Sequence, residues 1–262
     1  MSDLQFSKVI EIISDYAPNE PNVAYQYGAW MRKRRQMQNR IQTARSFWHS
    51  PDLRMFSESL HSSLLVVKGT FQSRYCLRDV AFRVAEELHR KGSPILWAVQ
   101  TGLQDRVSER KAVHDVLKSF VAQALRLCPP TSSEKAMAIS CAQLHTTTSE
   151  KEWFDVLGSA IERLKQQVYI LLDLEIIMQP AIDEQCVQVF ELFMELFQQL
   201  SQRGVRTNVK VIVLTYRPIT LRVPSVEEFS NLDLPTIISR PKPIQRRKRN
   251  RYDPRTAYSR LY

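Results

Sequence analysis

Glycine is scarce in this chain, with six residues in 262. A loop that wraps a phosphate in backbone amides relies on glycine for close approach, so any such loop here must manage with few. Cysteine is scarcer still. Cys76, Cys128, Cys141 and Cys186 lie far apart, without a C-x-x-C pair or a histidine at metal-ligand spacing. That scatter argues against a structural zinc or a disulfide framework, and reads the four as small buried apolar residues in a reducing compartment. No apolar run approaches the roughly 20 residues of a membrane-spanning helix. The opening Met1-Ser2-Asp3-Leu4-Gln5 lacks the basic and apolar stretches of a secretory signal. The expected compartment is cytosol or nucleus, with no membrane partner.

Positive charge is what the chain has in excess, at a formal +10. Most of it is local. Residues 240–262 hold nine cations, from Arg240 to Arg260, against the single acid Asp253, so eight of the ten net charges sit there. The rest of the chain is nearly neutral. The tail, centred on Arg246-Arg247-Lys248-Arg249, has three readings: a disordered solvated segment, a nuclear-import signal, or an arm that binds nucleic acid. Tyr252, Tyr258 and Tyr262 interleave aromatics with its cations, a pattern that suits stacking on RNA or single-stranded DNA.

Periodicity predicts a basic helix over 24–47, carrying Arg32, Lys33, Arg34, Arg35 and Arg40, and a short helix over 52–60 started by Ser50-Pro51-Asp52. The pattern then changes. Leu64–Val67 is a compact apolar run followed by Gly69, as in a buried parallel strand. Leu77, Val80, Ala81, Val84, Ala85 and Leu88 mark the inner face of a helix. Further strands are expected at 94–99, 168–172, 209–214 and, at an edge, 236–238. Helices are expected at 108–127, 153–164 and 181–203, the last closed by Gly204, and the polar stretch 130–148 reads as a loop with a short helix. Strands alternating with helices of these lengths imply a mainly parallel sheet of about five strands covered on both faces.

Three features fall in the order and setting of a phosphate-binding fold. The first is strand, Gly69, loop and helix. A working phosphate loop reads G-x-x-x-x-G-K-[ST]: glycines let amides close on the phosphates, lysine neutralises charge and the hydroxyl holds Mg²⁺. Here the stretch is Gly69-Thr70-Phe71-Gln72-Ser73-Arg74-Tyr75-Cys76. Without a gap, Arg74 replaces the second glycine, Tyr75 the lysine and Cys76 the hydroxyl; with a loop one residue shorter, Arg74 takes the lysine position and Tyr75 the hydroxyl. The second feature is Val168–Asp173, an apolar strand ending in an acid that would orient Mg²⁺ or its water at the sheet's C-terminal edge. The third is Val209–Leu214 followed by Thr215-Tyr216-Arg217-Pro218, a strand with a polar tip.

Together with Ser46-Phe47-Trp48-His49-Ser50-Pro51 before the first strand, these segments resemble the STAND/NACHT-like P-loop ATPases, in a divergent branch common in filamentous fungi. The resemblance runs over roughly residues 44–218 and takes in LLVVKG, TFQSR, SPILWAVQ, DVLKSFVAQAL and EWFDVLGSAIERLKQQVYILLDLE. It implies a three-layer P-loop NTPase-type sandwich over 61–239, with a helical region at 1–60 and the tail at 240–262. It further implies ATP or ADP with Mg²⁺ as cofactor, Gly69, Thr70, Ser73, Arg74, Tyr75, Cys76 and Arg217 as nucleotide-contacting positions, and Asp173 as metal position. The chain departs from the family at both halves of its machinery. The lysine–hydroxyl pair is missing, and the acids expected three and four residues after Asp173 are Ile176 and Ile177. No catalytic residue is expected, because phosphoryl transfer depends on positioning and charge neutralisation.

The expected function is a degenerate P-loop domain, truncated or stand-alone, acting as a regulatory or protein-interaction module with weak or no nucleotide binding and a protein partner or self-association. Arg74 gripping phosphate would make it an ATP-binding STAND-type ATPase instead, and the basic tail would make it a nucleic-acid-binding protein. Plainer readings stand beside the specific ones. Gly69 suits a tight turn, Arg74 a helix start facing solvent (against the helix dipole), and Asp173 a capping residue. Glu175 reads as a solvated loop acid and Arg217 as a surface cation. His61, His89, His114 and His145 have no catalytic partners at recognisable spacing, and Trp48, Trp97 and Trp153 fit the core.

Overall fold

An unbroken apolar run such as Leu64–Val67 can be stable in a sheet only if both faces are covered. The computed structural model supplies that cover; it describes residues 51–69, 74–100, 113–128, 144, 146–177, 183–216 and 236–239, with isolated positions 8, 26 and 30. Of the basic helix expected over 24–47 only Gln26 and Trp30 are described, both helical and exposed; the tail 240–262 lies outside the described residues.

Among the described residues the strands are β1 (Ser63–Lys68), β2 (Ile95–Ala98), β3 (Val168–Asp173), β4 (Val209–Thr215) and β5 (Thr236–Ser239). The helices are α1 (Pro51–Glu58), α2 (Arg74–Arg90), α3 (Val113–Leu127), α4 (Glu150–Glu162) and α5 (Asp183–Gln202). All pairings are parallel and the order across the sheet is β2-β3-β4-β1-β5. The α/β class and parallel sheet expected from the sequence are therefore present, with β1 to β4 each within a residue of their expected bounds.

Two apolar clusters share the sheet between them. On one face Leu64, Val66, Leu96, Ile170, Leu172, Val211 and Val213 pack against α3, α4 and α5; Phe154 and Phe193 meet edge-on at 5.1 Å between the last two. On the other, Leu65, Val67, Leu171, Ile212 and Leu214 pack against α1 and α2, with Phe56 from α1 only 1% exposed. Strand alternation explains the division, since successive side chains point to opposite faces. The layers are helices, sheet, helices.

Local signals set the ends of the elements. Ser149 and Glu152 form a reciprocal capping box at the start of α4. Gly204, with φ of 64°, ends α5 as expected: its amide donates to Ser201 and that of Val205 donates back to Leu200.

One side chain closes an edge. In β2, at the end of the strand order, the amide of Trp97 donates to Gln123 Oε1 at 2.9 Å, and Gln123 Nε2 donates to the Trp97 carbonyl at 3.0 Å. Nε2 also donates to Ser119 Oγ, one turn back on α3, at 3.1 Å. The buried glutamine of α3 thus does for Trp97 what a neighbouring strand would do.

Candidate functional site

Open parallel sheets bind ligands at the carboxyl ends of their strands, where neighbouring connections leave toward opposite faces. Here that point lies between β1, whose chain continues into α2 on one face, and its neighbour β4, flanked by β3, whose chain continues into α5 on the other. Register brings the tips together: Val67 is level with Leu214, and Asp173 is level with Leu214 from the far side. The Gly69 amide donates to the Thr215 carbonyl at 2.8 Å and so extends the β1–β4 ladder past the end of β1.

The tips hold a buried polar cluster. Alternation along β3 turns Asp173 toward α2, and its carboxylate has no solvent exposure. Its Oδ1 accepts from the Glu175 amide at 3.1 Å, which caps the 3-10 turn Leu174–Ile176. Its Oδ2 accepts from the Tyr216 hydroxyl at 3.2 Å and lies 3.8 Å from Arg78 Nε. Arg78, in the first turns of α2 and 4% exposed, also donates from Nη2 to Gln100 Oε1 beyond β2. Burial pushes the Asp173 carboxyl up to about 6, against the opposing pull of the Arg78 charge. Burial, reinforced by the neighbouring Asp173, raises the Tyr216 phenol well above its ordinary range. The cluster thus draws on α2, the end of β3, the residue after β4 and the second residue after β2.

Other expected site residues fall around this cluster. Arg74 is the first residue of α2 and half-buried; its Nη2 donates to the Tyr75 hydroxyl at 2.9 Å and its guanidinium stands 4.6 Å from that ring's centroid. Arg78 lies 5.8 Å from the same ring, so Tyr75 touches both arginines. The plain reading of Arg74 as a solvent-facing cation therefore gives way to a half-buried one engaged by Tyr75. Thr70, Ser73 and Arg217 lie outside the described residues, as does the side chain of Cys76. Asp173 does act as a cap, as its plainer reading had it. Glu175 differs from the expected solvated acid: in the 3-10 turn between the buried Leu174 and Ile176 it is half-buried, and its Oε1 is shut off from solvent. Ile176 and Ile177, where the family would place acids, are packed in the apolar cluster. His114, on the surface, pairs with the adjacent Asp115 at 3.0 Å.

These residues do not fit a Mg²⁺–nucleotide site. Magnesium asks for oxygens at about 2.0–2.1 Å in near-octahedral array and keeps several waters. Both Asp173 oxygens are already committed within the protein, no solvent reaches them, and a guanidinium stands alongside. Among the described residues, no group of three or more His, Cys, Asp or Glu side chains gathers as a metal site, and no helix is long and apolar enough to cross a membrane.

Sequence reasoning missed Arg78, Gln100 and Lys210. The first had a signal: Arg78, Ala81, Phe82 and Ala85 recur at i, i+3, i+4 and i+7, which places the arginine on the inner face of α2. Lys210 interrupts an apolar strand and is fully buried on the α1 face, 5.4 Å from the Phe56 ring centroid. Its Nζ donates to the Ser59 carbonyl at 2.6 Å, the His61 carbonyl at 2.8 Å and Ser63 Oγ at 2.9 Å, three acceptors for three donors. Burial lowers its ammonium to about 8. This second buried charge ties α1 to the opposite end of the sheet and is structural.

Compared with protein-family models, with curated proteins and with solved structures, the chain finds no match in any of the three.

Proposed function

We propose that this chain is a P-loop NTPase-type domain of the STAND/NACHT-like kind whose phosphate loop and metal position have been lost, and that it works as a regulatory or protein-interaction module with weak or no nucleotide binding. The observation that carries the reading is the state of Asp173. At the switch point of the sheet, where a nucleotide-bound metal would need an open carboxylate, Asp173 is buried and satisfied from within by Glu175 and Tyr216. Supporting it are a parallel sheet covered on both faces, β1 leading through Gly69 into α2, and the apolar burial of Ile176 and Ile177. Cytosol or nucleus is the compartment we assign.

Calorimetry with ATP and ADP, with and without Mg²⁺, tests the reading on wild type and Arg74→Ala. The expected result is no measurable heat of binding in either protein. Mg²⁺-dependent nucleotide binding by wild type, lost in Arg74→Ala, would replace the reading with that of an ATP-binding domain using an unorthodox loop. Arg74 at the N-terminus of α2, beside the strand tips, is the observation that favours this second reading.

A further inference from the structure

We infer that Arg78 is the resident cation of the strand-tip crevice: its guanidinium supplies, from within the chain, the positive charge that a metal bound with nucleotide would supply, and so makes the crevice independent of both. This rests on the P-loop-type reading above and extends it from what is lost to what replaces it.

Three observations converge on Arg78. Its position is one. It follows Arg74 by four residues on α2, and Leu77, Val80 and Ala81 around it face the sheet, so its side chain enters the crevice from the buried side of the helix. Its chemistry is another. A guanidinium stays protonated at any pH the protein meets, so its burial requires compensation by an anion and by acceptors. Asp173 supplies the anion at 3.8 Å and Gln100 an acceptor from beyond β2. Its aromatic neighbours complete the setting, with Tyr216 and Tyr75 ring centroids at 5.9 and 5.8 Å. A divalent ion entering here would meet the Arg78 charge and would have to displace the Tyr216 hydroxyl or the Glu175 amide from Asp173. Arg78 also ties α2 to β3 and to the chain beyond β2, so its bonds fix the relative placement of elements that a bound nucleotide would otherwise hold.

The test is titration of Mn²⁺ followed by electron paramagnetic resonance, with thermal unfolding as an independent readout, on wild type, Arg78→Gln, Arg78→Lys, Asp173→Asn and the double variant Arg78→Gln/Asp173→Asn. Wild type and Arg78→Lys keep the cation and should take up no Mn²⁺ at millimolar concentration. Their melting temperatures should be unchanged by it. Arg78→Gln keeps most of the volume without the charge; it should bind Mn²⁺ at least about tenfold more tightly than wild type, because a like charge has been removed beside the carboxylate. It should melt lower than wild type and regain stability with Mn²⁺, and the double variant should lose both effects. A purely structural ion pair would give the lower melting temperature alone, with no Mn²⁺ response, and that result overturns the inference. So does Mn²⁺ binding by wild type that Asp173→Asn abolishes. If Arg78→Gln does not fold, Arg78→Met, which keeps the stem without the charge, takes its place: Mn²⁺ uptake that the added Asp173→Asn abolishes upholds the inference, and a folded Arg78→Met without uptake overturns it, as does metal uptake by Arg78→Lys. ATP binding by wild type without metal would overturn the proposed function and, with it, the independence from nucleotide, while the Mn²⁺ comparison still decides whether Arg78 stands in for the metal.

Discussion

Replacing Gln123 removes three hydrogen bonds at once, two of them on the backbone of a strand at the end of the sheet. Its amide satisfies both the N–H and the C=O of Trp97, and the residue is 6% exposed. Each buried polar group left without a partner costs about 1–3 kcal/mol. Gln123→Leu, which keeps the bulk, should therefore lose about 2–6 kcal/mol, toward the lower figure if water enters at the edge. Gln123→Glu separates this cause from a packing effect. A protonated carboxyl can accept from the Trp97 amide and donate to the Trp97 carbonyl, as the native amide does; a carboxylate presents two acceptors to that carbonyl. Folded Gln123→Glu should then hold its introduced carboxyl proton well above the ordinary value of about 4.3. The variant approaches wild-type stability below that value and loses it as pH rises through the folded value. Urea unfolding followed by tryptophan fluorescence, with Trp97 at the site, measures both effects. Gln123→Leu within about 0.5 kcal/mol of wild type, or a Gln123→Glu deficit that does not change with pH, would refute the strand-mimic role, since surface substitutions fall in that range.

The other expectations concern Asp173 and Lys210, two of the buried ionisable side chains. The Asp173 carboxyl stands at about 6 in the folded protein, against about 3.9 unfolded. The folded state therefore binds that proton more tightly, and the group's contribution is most favourable below about pH 4 and is lost as pH rises to about 6, by about 3 kcal/mol. Asp173→Asn removes that slope, so urea-unfolding free energies of the two proteins should diverge between pH 4 and 7, and parallel profiles would show the carboxyl to be unperturbed. Lys210→Met keeps the stem against Phe56 but strips the donor from Ser59, His61 and Ser63. Only Ser63 is buried, the carbonyls of Ser59 and His61 belonging to residues that reach the surface, so the cost is that of one buried group, about 1–3 kcal/mol. Lys210→Glu sets a carboxylate against those oxygens and should cost more, about 3–5 kcal/mol; thermal unfolding that ranks glutamate above methionine would contradict the assigned geometry.

Much of the fold is written locally. The unbroken run Leu64–Val67 demanded a sheet buried on both sides, the spacing from Leu77 to Leu88 marked the inner face of α2, and Gly204 ended α5 in a left-handed turn. These follow from side-chain period and backbone preference, which are properties of neighbours in sequence. The sequence also showed, without help, that residues 69–76 hold one glycine and that Ile176 and Ile177 stand where acids were expected. What it did not disclose is how the strand tips are filled. Asp173, Arg78, Gln100 and Tyr216 are separated by as many as 138 residues, and only the order β3-β4-β1, with α2 laid over it, brings them to one crevice. The same holds for Gln123 and Trp97, 26 apart, and for Lys210 and Ser59, 151 apart. Whether an arginine on a helix face is solvated or buried depends on what the opposite surface offers, and here that is a carboxylate contributed by another strand. Periodicity marks which residues turn inward; tertiary contact decides which inward-facing charge finds its partner.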